Sequence, residues 1–215
     1  MKKTLTLILA LITTVVLAAC SAGSAENVQL TGEYLPEGVE FVRTEKDDGF
    51  TEHKYRDDTG EYTLLIDKNE KVRALEYDAI ARSTAENITL TAEDALEYVK
   101  AVQPEAELIA AVEDRDDARY EWDLLIKTGE DLAFYELDAA TGAILDYEIF
   151  YGLASTVDLQ AILEANLANA SVTEISLDTD DGRLYLEGEA RTDNGRVEFT
   201  IDAESGILVE AEYDD

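Results

Sequence analysis

The chain has one cysteine, one histidine and only two prolines among 215 residues. The lone cysteine, Cys20, excludes an intrachain disulfide and any cysteine-based metal centre. The lone histidine, His53, leaves no histidine-rich zinc site. A Ser-His-Asp triad would have to use His53, and no serine sits in a Gly-x-Ser-x-Gly elbow. Basic residues are scarce too: 17 Lys and Arg stand against 49 Asp and Glu, a formal net charge of −32. Such a surface repels nucleic acid and anionic lipid head groups, so neither is an expected direct partner. Cationic proteins, divalent ions or a salty environment fit it better, and dense Asp and Glu also keep a folded surface hydrated. Without covalent or metal staples, the fold has to stand on its hydrophobic cores.

Long apolar runs are missing except at the start. Lys2 and Lys3 precede an uncharged stretch from Thr4 to Ala19, shorter than the ~20 residues of a membrane-spanning helix. Charged start, apolar middle and small residues before a cut site are the parts of a secretory signal peptide. The run Leu17-Ala18-Ala19-Cys20 resembles the lipobox of bacterial lipoproteins. The resemblance implies cleavage before Cys20, a diacylglycerol thioether on its sulfur, and anchoring on the extracytoplasmic face of the cell membrane. Two acyl chains anchor durably where one is marginal. The competing reading is an ordinary signal peptide followed by a free cysteine. Residues 1–19 are thus expected to be signal peptide and 20–27 a tether.

The remainder reads as three copies of one pattern, each with four short alternating stretches separated by Gly- and Asp-containing turns. The first runs through Phe41–Thr44, Phe50–Tyr55, Tyr62–Asp67 and Val72–Asp78; the second through Leu108–Glu113, Tyr120–Ile126, Leu132–Asp138 and Ala143–Ile149. The third runs through Val172–Leu177, Arg183–Ala190, Arg196–Asp202 and Ile207–Tyr213. Alternation in Tyr120-Glu121-Trp122-Asp123-Leu124 predicts antiparallel meanders with one apolar face and one wet face. Asp138 and Asp202 open matching Asp-x-x-Ser/Thr-Gly turns, where Asp accepts a backbone hydrogen bond and Gly supplies positive φ. The first copy lacks that glycine, and Asn69 is expected in the left-handed position. A helix is expected after Thr91, its N-cap, with Asp94 closing a capping box and Pro104 ending the run. Another is expected from about Ser155 or Thr156, with Leu159, Ile162, Leu163 and Leu167 on one stripe. Each should cover the apolar face of the sheet that follows it.

The helix, the four-strand meander and the closing Asp-x-x-Ser/Thr-Gly turn resemble the PepSY domain over Leu90–Phe150, around Tyr135-Glu136-Leu137-Asp138-Ala139-Ala140-Thr141-Gly142. The likeness recurs over Thr156–Tyr213, around Val197 to Gly206. The expected fold class is therefore α+β: tandem small units, each a four-stranded antiparallel meander, the second and third with one packed helix. The boundaries expected are 28–84 for a divergent N-terminal β-rich unit, then 85–150 and 151–215 for PepSY-like domains. PepSY domains occur in propeptides of thermolysin-like metallopeptidases and in secreted or membrane-attached bacterial proteins. The resemblance implies inhibition or regulation of peptidases and brings no catalytic residues.

Candidate chemistry is sparse. His53 reads as a surface or edge-strand side chain. Among so many acids some pairs must fall at glycosidase-like separations, but nothing in the sequence marks a pocket that would tune one of them. The loops at Asp114-Arg115-Asp116-Asp117 and Asp178-Thr179-Asp180-Asp181-Gly182 are acidic at matching hairpin positions. Counted from Asp178, Gly182 falls at position five rather than six and the EF-hand register fails, so they read as solvated hairpin tips open to weak divalent-cation binding. Tyr147, Phe150 and Tyr151 form either a partner anchor or a core at a domain junction. Ala79 to Asn87 reads as the loosest joint. No enzyme activity, cofactor, catalytic residue or metal ligand is expected, and Cys20, as the lipidation site, is the one site residue. The expected function is that of a non-catalytic lipoprotein binding an extracytoplasmic protein, a peptidase among the candidates. The alternative is an acidic cation-binding or cell-wall-associated envelope protein.

Overall fold

A computed structural model describes residues 33–115 and 119–213. The expected signal peptide, the tether and Cys20 lie outside the described residues. The strands are β1 (Glu40–Asp47), β2 (Phe50–Arg56), β3 (Gly60–Ile66), β4 (Val72–Ala79), β5 (Ala106–Asp114) and β6 (Glu121–Thr128). They continue with β7 (Asp131–Asp138), β8 (Ile144–Phe150), β9 (Ser171–Asp180), β10 (Arg183–Thr192), β11 (Gly195–Asp202) and β12 (Ile207–Tyr213). Helix α1 spans Ala92–Val102 and α2 spans Leu159–Asn166.

The antiparallel α+β character and the two helices are as the sequence implies. The arrangement of units is not a simple tandem. β4 pairs with β8 antiparallel, so the first eight strands form one sheet in the order β1-β2-β3-β4-β8-β7-β6-β5, and β12-β11-β10-β9 form a second. The second sheet lies over one face of the first, with β9 crossing β5, β6 and β7. Between them sits a core of Phe50, Leu65, Leu125, Leu132, Phe134 and Phe150 from the large sheet, with Ile175, Leu177, Leu186 and Phe199 from the small one. The other face of the large sheet carries Tyr55, Tyr62, Leu64, Tyr77, Trp122, Leu124 and Tyr135, beneath Leu35 and the Ala95 and Val99 stripe of α1. Each fully buried Leu or Phe contributes roughly 1.5–3 kcal/mol.

The expectation of a wet face therefore fails for the large sheet. Asp123, on the polar side of the alternating run, is only 7% exposed. The runs Leu64-Leu65-Ile66 and Leu124-Leu125-Ile126 explain why: strands apolar on both sides are strands buried on both sides.

Local signals set the helices. Thr91 Oγ1 accepts from the Asp94 N–H, while the Asp94 carboxylate accepts from the Thr91 N–H, closing the capping box. α2 begins three residues later than Thr156 because the Thr156 hydroxyl lies 2.7 and 2.6 Å from the carbonyl oxygens of Leu153 and Ala203. The cap is Asp158, whose carboxylate accepts from the Ala161 N–H. In the first copy's last turn the left-handed residue is Glu70 (φ 64°), not Asn69. Asp67 accepts from the Asn69 and Lys71 N–H groups there, which places the reversal one residue further on.

Candidate functional site

The outer face of the large sheet gathers aromatics. Register places Phe41, Tyr55, Tyr62, Tyr77, Tyr147 and Tyr135 in one line across β1, β2, β3, β4, β8 and β7. Ring centroids are 4.8 Å apart for Tyr62–Tyr77, 4.9 Å for the stacked Tyr77–Tyr147 and 5.3 Å for Tyr135–Tyr147, within the attractive range of aromatic pairs. At the Tyr147–Tyr135 end opens a cleft of about 490 Å³. Ile149, Tyr147 and Tyr135 line it from the sheet, Tyr34 and Tyr151 from the chain crossing it, and Val102 and Gln103 from the end of α1. Tyr34 meets Tyr151 edge-on at 5.0 Å. Glu33 and Asp131 add carboxylates, and Asp131 Oδ1 is held by the Gly152 N–H at 2.8 Å. Burial raises the pKa of the Tyr135 hydroxyl to about 12 and raises those of Tyr34, Tyr147 and Tyr151, so all four stay neutral near pH 7.

The inner face gathers acids. Asp123, Glu136, Asp146, Asp78 and Glu61 stand side by side across β6, β7, β8, β4 and β3. The next line across the sheet holds Phe134, Glu148, Glu76, Thr63 and Lys54. Burial first, and mutual repulsion second, pushes Glu76 and Glu136 up to about 7 and Asp123 and Asp146 to about 8. Glu148 is raised well above its ordinary value for the same reasons, with Glu76 and Asp146 as its strongest repelling partners. Its Oε2 is enclosed and accepts no hydrogen bond. From the small sheet, Asp178 and Glu174 add negative charge. Lys54 opposes the repulsion at Glu76, although its ammonium is bound to Glu45 at 2.5 Å and Glu52 at 2.8 Å. Among the described residues, no three acidic or histidine side chains converge in a way that could hold a metal ion.

Other candidates fall in ordinary structural places. Asp138 Oδ1 accepts from the Ala140 and Thr141 N–H groups and the Thr141 hydroxyl. Its Oδ2 accepts from the Ser83 hydroxyl and the Thr84 and Ala85 N–H groups. Burial opposes the charge on Asp138, and these donors outweigh it, holding the carboxyl at about 2. The segment expected as the loosest joint is thus pinned at its middle, with Ser83 and Ala85 buried. Asp202 caps its turn through Ser205 in the same manner. Gly142 and Gly206 take the positive φ those turns require.

His53 sits on β2, which is interior to the sheet, with its ring 6.3 Å from Phe41; burial lowers its pKa and leaves Nδ1 without a partner. The Asp178–Gly182 tip keeps Asp178, Asp180 and Asp181 exposed, as expected, but its backbone is docked: the Gly182 N–H donates to the Asp48 carbonyl, and a Cβ on Gly49 would lie 2.6 Å from the Gly182 nitrogen. Residues 116–118 of the other acidic loop lie outside the described residues. Tyr147, Phe150 and Tyr151 do not form one cluster, since Phe150 enters the core between the sheets while Tyr147 and Tyr151 face the outer side. The cleft residues Glu33, Tyr34, Gln103 and Asp131 carried no sequence signal, because they are dispersed along the chain and meet only in the folded structure.

The two sheets also leave open edges. β1 and β12 end their sheets and expose apolar side chains, Phe41 and Val42 on one, Ile207, Val209 and Tyr213 on the other. Among the described residues, two antiparallel sheets, two capped helices, a tyrosine-lined cleft and free strand edges make up a small α+β protein. The chain belongs to the PepSY family, described as the peptidase propeptide and YPEB domain, which matches twice, over residues 89–148 and 155–212. No curated protein matches the chain. Among solved structures, the YpeB C-terminal domain of Bacillus megaterium is 14% identical over 90% of this chain and 97% of its own, with a TM-score of 0.35. A protein assigned as a lipoprotein from Clostridium difficile 630 is 19% identical over 59% of this chain and 94% of its own, with a TM-score of 0.30. No described helix is long and apolar enough to cross a membrane.

Proposed function

We propose that this protein is a lipid-anchored, extracytoplasmic binding module that docks and regulates an envelope protein without catalysis of its own. The observation that carries the reading is the double PepSY match, which places the described chain in a family named for peptidase propeptides. The partner class considered first is accordingly a peptidase. The edges β1 and β12 supply unpaired N–H and C=O groups that an extended partner segment can complete. The net charge of −32 attracts a basic partner over long range and makes association sensitive to salt. Cys20, through its lipid, holds the module beside other envelope proteins.

The test is capture from the envelope of its own cells, with the anchored chain as bait, at low and high salt. Retention of a protein that is released by salt is the expected result, and a captured peptidase that loses activity when bound would establish the regulatory role. Capture of a different envelope protein would keep the module and discard the peptidase. An empty capture at low salt would overturn the reading.

A further inference from the structure

The cleft at the end of the tyrosine row has a composition that selects for one kind of group. Tyr34, Tyr135, Tyr147 and Tyr151 bring four aromatic rings to the lining of one cavity of about 490 Å³. The ring faces carry the negative lobe of the aromatic quadrupole, which attracts an ammonium or guanidinium placed over them. Helix α1 ends at Val102, and Val102 and Gln103 line the same cavity. A helix C-terminus carries the negative end of the macrodipole, about −0.5 of an elementary charge. Glu33 and Asp131 complete the lining with two carboxylates, and none of the residues lining the cleft is basic. Three independent sources of negative potential thus border one partly apolar cavity.

We propose that this cleft is a receptor for a lysine or arginine side chain presented by the partner polypeptide, its aliphatic stem lying on Ile149 and Leu75 and its charged head among the tyrosine rings and Asp131. This deepens the binding-module reading by naming the chemistry of the partner, and it rests on that reading for the existence of a partner. The stem and head of a long basic side chain match the two halves of the lining, because such side chains bury their methylenes while keeping the charge beside polar groups. A neutral apolar side chain would fill the same volume and leave Glu33 and Asp131 without a counter-charge. An acidic one would face repulsion from every side.

Two substitutions separate charge from packing. Asp131→Asn keeps an oxygen to accept from the Gly152 N–H and removes the charge; Glu33 is exposed, so Glu33→Gln costs the fold little. The probe is Nα-acetyl-lysine N-methylamide, titrated into the whole protein while the tyrosine ring resonances are followed by NMR, with the norleucine analogue as the neutral comparison. The lysine probe is expected to move the rings of Tyr34, Tyr147 and Tyr151 saturably, and the norleucine analogue to leave them unmoved. The double variant is expected to weaken the lysine probe several-fold, in line with partly exposed charge and cation–π contacts, with an unchanged melting temperature. Equal response to norleucine, no response to lysine at high millimolar concentration, or undiminished lysine binding by the double variant would each overturn the proposal. The two levels fail separately: a captured partner indifferent to the double variant removes the cleft and leaves the module, whereas lysine binding with an empty capture leaves the cleft and removes the module.

Discussion

The two faces of the eight-stranded sheet follow the same rule with opposite materials. On the outer face, cross-strand register lines up Tyr55, Tyr62, Tyr77, Tyr147 and Tyr135. On the inner face the same pairings line up Asp123, Glu136, Asp146 and Asp78. Directly opposed residues on neighbouring strands have their Cβ atoms about 4.5–5.5 Å apart, so register imposes contact whether or not the side chains attract. For the tyrosines that contact adds roughly 0.5–1.5 kcal/mol per pair beyond burial. For the carboxyls it is tolerable only while protons remain. One face is therefore stable unconditionally through the neutral range, and the other is stable on condition of pH.

The largest expected effect separates the faces by pH. Glu76, Asp123, Glu136 and Asp146 begin from ordinary values of 4.5 or 3.8 and reach about 7 or 8 in the folded chain. Raised carboxyls bind more protons when folded than when unfolded, so their stabilisation is complete below about pH 4 and is lost as pH climbs through 7 to 8. Asp138 acts oppositely: held at about 2, it contributes above its ordinary 3.8 and its contribution disappears as pH falls through 2. Stability should thus peak near pH 4 to 5 and decline by on the order of 5 kcal/mol by pH 9, a large share of a domain's usual 5–15 kcal/mol. Urea unfolding across that range measures it. A flat profile would mean that the acids ionise without cost and that the inner face is wetter than the packing of the two sheets implies.

Breaking the outer face directly comes next. Tyr135 is 1% exposed and ends the stacked row. Tyr135→Ala should cost about 3–5 kcal/mol by loss of a large buried ring and the cavity left behind, equally at pH 5 and pH 8. A loss confined to one pH would show that the two faces are coupled. Asp138→Ala should follow at about 3 kcal/mol, because it leaves several buried donors on both sides of the carboxylate unpartnered. Faster hydrogen exchange over 83–85 would show that the segment overlying the outer face had come loose.

The inner face can also be repaired. Glu148→Gln keeps the shape and cannot ionise, so it should raise stability at pH 9 by about 1–3 kcal/mol and have little effect at pH 5. No gain at pH 9 would mean that Glu148 escapes its surroundings when charged.

Much of this contrast is unreadable in the sequence, for a definite reason. Alternation, turn aspartates and the Thr91 cap are local signals, and they place twelve strands and the first helix closely. The pairing of β4 with β8, which joins two meanders into one sheet, depends on strands about 70 residues apart and has no local trace. Without that pairing, Tyr77 and Tyr147 are unconnected tyrosines and Glu76 and Glu148 unconnected acids. One clue does lie in the residue order: the unbroken apolar runs at Leu64–Ile66 and Leu124–Ile126 announce two-sided burial. Asp123 directly precedes the second of these runs, so two-sided burial of that strand entails a buried carboxyl.

The smallest expected effect concerns an ion pair between the sheets. Arg73, at the start of β4, pairs with Glu204 in the turn after β11 and lies 3.5 Å from Asp67. It joins the large sheet to the small one through Glu204, whose side chain is 44% exposed, and ion pairs with so exposed a partner are worth about 0–1 kcal/mol. Arg73→Gln should therefore lower stability by less than about 1 kcal/mol at low salt, and by almost nothing at high salt because screening has already removed the attraction. The contacts that hold the sheets together are Phe50, Phe134, Phe150 and Phe199, which salt does not screen. A loss well above that range, persisting at high salt, would mean that this guanidinium does more than bridge the half-buried Asp67 and the exposed Glu204. Its buried Nε, which has no hydrogen-bond partner, would then be the place to look.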